Sequence, residues 1–242
     1  MKINAVVRRA LSACGLLAVV LPLNAAQELT VTARIEAMNK ADRHSPRTTV
    51  VWLVPAGSPA PVQVADSPQQ HPSLTQRDKS FTPHLLVVQV GTVVDFPNHD
   101  PFFHNVFSLF EGKRFDLGLY EAGTTRYVRF DRPGICYIFC NIHPEMSAVV
   151  VVLDTPYYAI ANARGNLEFR GVPPGRYTLH VWDERSLPEN LAKLSREVSL
   201  SKDQESLGTI RIKETSVVTA HKNKYGRDYD KPAPSTPGYI PQ

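Results

Sequence analysis

The chain has 242 residues, the size of one or two domains, with 43% hydrophobic and 21% charged residues. That is enough apolar material for a buried core, which excludes a compositionally disordered chain. Of the 27 basic residues, three (Lys2, Arg8 and Arg9) lie at the extreme N-terminus, leaving 24 against 23 acidic residues and no electrostatic case for a nucleic-acid or acidic-membrane partner.

The first 26 residues read as a signal peptide: a basic start, the apolar run Ala10 to Leu23, and the small residues Ala25 and Ala26 for cleavage. The apolar run is about 14 residues, short of the roughly 20 that a membrane-spanning helix needs. The sequence therefore predicts export to the periplasm and no membrane span in the mature chain. Of the three cysteines, Cys14 leaves with the leader. In an oxidising compartment Cys136 and Cys140 would first suggest a disulfide. Along one strand, however, they would stand about 13 Å apart, beyond the roughly 7 Å between Cα atoms that a bridge tolerates.

After the leader, residues 29–35 alternate and predict a strand, and 48–54 predict another. Residues 55–72 hold five prolines and read as a long surface loop. Apolar, β-branched runs follow at 85–90, 92–96, 102–109, 126–130, 135–140 and 147–153. Strands this short with frequent turn signals predict an all-β sandwich. Asp154 to Pro156 reads as a joint. Beyond it, strands are expected at 157–161, 167–169, 176–182, 198–200 and 207–212, with a short helix over 188–196 starting at proline. The predicted organisation is a first sandwich over 27–153, including the N-terminal strands, and a smaller one over 154–213. The strands at 29–54 could complete either sandwich, and the polar, Pro-rich segment 214–242 is expected to be poorly ordered.

Soft and borderline metal donors converge at Cys140, His143 and Met146, and His104 stands upstream beside Asn105 and Val106. Two imidazoles, one thiolate and a weak thioether are the donor set of a type 1 copper centre. Thiolate and thioether suit Cu(I), and imidazole serves both oxidation states. Structural zinc favours four Cys or His donors and rarely takes a thioether. A binuclear copper centre would need histidine four positions after the second cysteine, where Pro144 stands. Cys136 is read as a small buried hydrophobe, and His99 as the nearest spare donor. The remaining histidines (His44, His71, His84, His180 and His221) read as surface or structural residues.

These motifs resemble the copper loop of cupredoxins, particularly the amicyanin type, with its Cys-x-x-His-x-x-Met spacing. Residues 91–98 followed by His104 are similar to the cupredoxin strand leading to the first ligand. Residues 81–83 (Phe-Thr-Pro), Asn98 and Asp100, the Cys140–His143 loop and Thr155 to Tyr157 resemble exported bacterial proteins labelled methylamine utilization proteins. The resemblance spans about residues 76–183. It implies a cupredoxin Greek-key β-sandwich in which one type 1 copper is held by His104, Cys140, His143 and Met146. It further implies that Asn105 ties the copper loop to the ligand strand and that the His143 edge is where electrons leave, with Glu145 in place of the usual apolar neighbour. Residues 165–177 are similar to a transthyretin-like or carboxypeptidase-regulatory β-sandwich.

The expected function is single-electron transfer between periplasmic redox proteins, whose donor and acceptor the sequence does not name. No enzymatic activity is expected, since four protein donors leave no open position and the chain has none of the His-x-His pairs of copper oxidases. Two other readings stand beside it: a periplasmic copper carrier or buffer, and a structural or ligand-binding envelope protein.

Overall fold

The computed structural model describes residues 28–38, 48–57, 71–109, 112–215 and 222–229. The predicted signal peptide, most of the Pro-rich loop, His44 and His221 lie outside them. No described helix is long and apolar enough to cross a membrane. The described residues are all-β apart from one short helix.

The centre of the molecule is a five-stranded sheet in the order β5-β11-β10-β7-β8. Its strands are β5 (Leu85–Gln89), β7 (His104–Ser108), β8 (Phe115–Tyr120), β10 (Gly134–Cys140) and β11 (Ser147–Leu153). The apolar run of β11 is buried along nearly its whole length, because alternate side chains leave a strand on opposite faces and both faces here are covered. Ala148, Val150 and Val152 enter one core. Val149, Val151 and Leu153 enter a second.

The first core is closed by the ribbon of β6 (Val93–Pro97) and β9 (Thr125–Arg129), which contributes Val94, Phe96 and Val128. The hairpin of β3 (Thr75–Arg77) and β4 (Ser80–Thr82) lies on the same side, with Phe81 and the preceding Leu74 in this core. Cys136, Ile138 and Cys140 share this face of β10. Both cysteines are buried free thiols.

The second core is built by two sheets. One has the order β12-β2-β14-β15 and the other β13-β1-β16. The first holds β2 (Thr49–Pro55), β12 (Tyr158–Ile160), β14 (Gly175–Asp183) and β15 (Arg196–Leu200), and the second β1 (Leu29–Ala37), β13 (Asn166–Val172) and β16 (Ser206–Ile212). The N-terminal strands, which the sequence left free to complete either sandwich, thus pair with strands that follow residue 153. β1 pairs antiparallel with β13 and parallel with β16, and β2 pairs with β12 and β14. The buried stripe of β1 (Leu29, Val31, Ala33 and Ile35) needs the apolar faces of β13 and β16 to leave water, and β2 fills the gap between β12 and β14.

Three local readings also change. The helix is only α1 (Pro188–Ala192). Strand β8, interrupted by Gly118 at φ +69°, is a strand that the sequence reading left out. Within the segment expected to be poorly ordered, residues 222–229 form a turn that docks on the first sandwich through the contacts given below.

Candidate metal centre

His104 opens β7 and Cys140 closes the neighbouring β10, where Cys140 stands opposite Val106. The two-residue period of the strands turns both side chains toward the first core. From Cys140 the chain runs through a tight loop to β11. The Met146 N–H donates to the His143 carbonyl at 3.1 Å, and the Cys140 N–H to the Met146 carbonyl at 3.3 Å. These bonds fold the loop back so that His143 stands over Cys140 and Met146 returns, fully buried, to the first core.

Three donor atoms converge. The Cys140 Sγ lies 3.7 Å from the His104 Nδ1 and 3.6 Å from the His143 Nδ1, and the two Nδ1 atoms are 3.1 Å apart. The circle through these atoms has a radius of about 2.0 Å, the length of a metal–imidazole bond. An ion near its centre reaches all three donors at once. Among the described residues this is the one group of three His, Cys, Asp or Glu donors so arranged. His99 is not part of it; its Nδ1 lies 3.0 Å from the Arg77 guanidinium, on the surface.

Burial raises the Cys140 thiol pKa, opposed by the backbone N–H groups of Asn105, Ile142 and His143, which donate to the sulfur. Those three donors are placed to hold a thiolate once a cation compensates its charge. Burial lowers the His143 pKa, and the adjacent His104 lowers it further, so the ring is neutral and free to donate a lone pair. Metal binding at such a site displaces the thiol proton. Phe102 packs against both imidazoles, with centroids 5.2 Å from His104 and 5.6 Å from His143. His104 is buried and His143 half-buried. Ile142 and Glu145, in the same loop as His143, are exposed, and so is Phe103, which directly precedes β7.

Around the donors, two features escaped the sequence reading. The His104 Nε2 lies 2.8 Å from the Asp100 Oδ2, and both side chains are buried. The signal available was the spacing of Asp100 four residues before His104. The second is the tail. The Tyr229 hydroxyl donates to the Cys140 carbonyl at 2.7 Å, and the Lys224 N–H donates to the Asn141 Oδ1 at 3.0 Å. The Lys224 Nζ reaches the Asp116 Oδ2 at 2.8 Å.

Asn105 departs from its expected role. Its side-chain amide donates to Asp116 on β8 at 2.6 Å, away from the Cys140–Met146 loop, because β8 pairs directly against β7. Its backbone N–H is what reaches the Cys140 sulfur. The side-chain tie to the loop runs instead through Asp116 and Lys224 to Asn141.

No protein-family model matches the sequence, and no curated protein matches it. Among solved structures, a purple cupredoxin from Nitrosopumilus maritimus is 23% identical, with a TM-score of 0.32, over 34% of this chain and 99% of that one. An amicyanin variant in its Cu(I) form is 19% identical with a TM-score of 0.34, over 43% and 98% of the two chains. A copper-containing nitrite reductase from Thermus scotoductus is 20% identical with a TM-score of 0.34, over 49% of this chain and 28% of the enzyme.

Proposed function

We propose that this is an exported protein that carries single electrons between periplasmic redox partners through one type 1 copper ion. The observation that carries the reading is the triangle of His104 Nδ1, His143 Nδ1 and Cys140 Sγ, with edges of 3.1, 3.6 and 3.7 Å. Two imidazoles and a thiolate at this spacing are the nitrogen and sulfur donors that a type 1 copper ion would take, and the buried Met146 would supply the weak thioether.

Bound copper supplies a one-electron couple between Cu(I) and Cu(II). The protein supplies the frame. His104 and Cys140 lie on paired strands of the central sheet, so the donors stay put whichever charge the ion has. Phe102 and the first core exclude water from the donor atoms. The half-buried His143 would give the electron its route to a partner, and Phe103, just before β7, and Ile142, in the same loop as His143, are exposed apolar side chains. With four protein donors assigned to one ion, no position remains for a reactant, so the protein is read as a carrier of electrons and not as an enzyme. The resemblance to exported methylamine utilization proteins belongs to this reading, as does the predicted leader.

Titration of the purified mature protein with Cu(II), followed by visible absorption, tests it. An intense thiolate-to-copper band saturating at one equivalent and lost in Cys140→Ser is expected. A protein with reduced cysteines that develops no such band overturns the reading. Transfer to a chelator separates an electron carrier, which holds its copper for hours, from a copper shuttle, which gives it up in seconds.

A further inference from the structure

Among the described residues, Asp100 is the carboxylate in hydrogen-bond contact with a candidate donor, His104, and its surroundings are built. Its side chain is 5% exposed and that of His104 is 0% exposed. Besides His104, the carboxylate accepts from the Asp78 N–H at 2.7 Å and the Lys79 N–H at 3.1 Å. The Asp100 N–H donates to the Asn98 Oδ1 at 3.0 Å, which fixes the local turn of backbone that carries Asp100. Asp78 and Lys79 are the two central residues of the β3–β4 hairpin turn, and both have φ of +53°. A turn of that kind usually takes Asn-Gly or Asp-Gly, and lysine there is strained. The strained turn aims two successive N–H groups at one buried carboxylate, which holds Asp100 against His104 from the other side.

A neutral imidazole has one N–H and one lone pair. A carboxylate that accepts from Nε2–H keeps the proton there and leaves the lone pair on Nδ1, the atom that faces Cys140 and His143. It also makes the ring a stronger donor. In a buried site its negative charge acts through a low effective dielectric, and it attracts a doubly charged ion more than a singly charged one.

We propose that Asp100 is a positioning residue that sets the oxidation-state preference of the centre: its buried carboxylate fixes the His104 tautomer and favours Cu(II) over Cu(I). This rests on the copper reading of the site. It separates Asp100 from a residue that only anchors the hairpin. Loosening an anchor weakens the binding of both oxidation states alike, and the midpoint potential, which depends on their ratio, stays where it was.

The test is a redox titration of the full-length, copper-loaded protein and of its Asp100→Asn variant, followed by the thiolate-to-copper band. The expected result is a potential higher by at least one tenfold step in the Cu(II)/Cu(I) preference, about 59 mV for one electron. A variant that binds one copper with an unmoved potential overturns the assignment of Asp100 while leaving the copper reading intact. A wild-type protein that binds no copper overturns the copper reading itself. Should Asp100→Asn fail to fold, nitrogen-15 NMR of the wild-type Cu(I) protein decides. A His104 Nε2–H proton shifted far downfield and protected from solvent exchange supports the assignment, and a rapidly exchanging one overturns it.

Discussion

Tyr229 donates its hydroxyl to the backbone carbonyl of Cys140 at 2.7 Å, so a residue of the tail holds the peptide unit of the candidate thiolate ligand. Burial raises the pKa of this phenol, and Cys140 raises it further, which keeps the hydroxyl protonated and able to donate. Together with the Lys224 contacts to Asn141 and Asp116, it clamps the loop between β10 and β11 from outside.

Removing that hydroxyl should loosen the loop without touching a donor. Tyr229→Phe is expected to keep the absorption band of the copper form and to release copper to a chelator several-fold faster. A lost hydrogen bond of about 1 kcal/mol corresponds to that factor. Stopped-flow bleaching of the band is the measurement, and an unchanged release rate would show that the clamp does not hold the loop.

The two cysteines should separate cleanly. The Cys136 thiol lies in the first core, and burial pushes its pKa up to about 11. Cys136→Ser places a hydroxyl among apolar side chains and should cost roughly 1–3 kcal/mol of stability. The copper band should remain, whereas Cys140→Ser should abolish it. Urea unfolding and a copper titration of both variants check this, and loss of the band in Cys136→Ser would make Cys136 a ligand.

Strand β11 feeds both cores, so metal bound at the candidate site should be felt on the far side of the central sheet. Both tryptophans, Trp52 and Trp182, belong to β2 and β14 of the second core. Copper at a hundred times its dissociation constant adds about 2.7 kcal/mol. The tryptophan-monitored melting point should therefore rise by roughly 5 to 10 °C. A tryptophan transition that ignores copper would mean that the two sandwiches unfold independently.

His84 joins the sandwiches from the β4–β5 junction. Its Nδ1 lies 3.1 Å from the Ser147 carbonyl and its Nε2 lies 2.8 Å from the Glu184 carboxylate. The bond to Glu184 raises the His84 pKa above its ordinary 6.5, against the effect of burial. Burial pushes Glu184 up, but His84, with smaller help from Thr48 and Arg185, more than offsets it and leaves the carboxyl below its ordinary 4.5. The raised histidine contributes stability that is complete below pH 6.5 and lost as the pH rises through its folded value. The lowered glutamate contributes above pH 4.5 and loses its share as the pH falls through its folded value. The advantage of wild type over Glu184→Gln should thus peak between about pH 4.5 and 6.5. Because both groups are partly exposed, it should amount to about 0.5 kcal/mol. Denaturant unfolding across pH measures it, and an advantage that grows above pH 7 would refute the pairing.

What the sequence by itself determined is local. The two-residue alternation of β1 and β14 and the continuous apolar run of β11 are enough to recognise strands. The three-residue steps from Cys140 to His143 to Met146 are enough to recognise a donor loop, because one tight turn brings such residues to one place. Only the tertiary structure decided which strands are partners, because β1 and β2 meet theirs far along the chain and an apolar stripe carries no address. It alone showed that Asp100 lies buried against His104, since a lone aspartate beside Asn98 and His99 has the composition of a solvated turn. It alone docked residues 222–229, a polar segment held by a few directed hydrogen bonds. Periodicity reports which face of a strand is buried, whereas such bonds depend on atoms that no local pattern brings together.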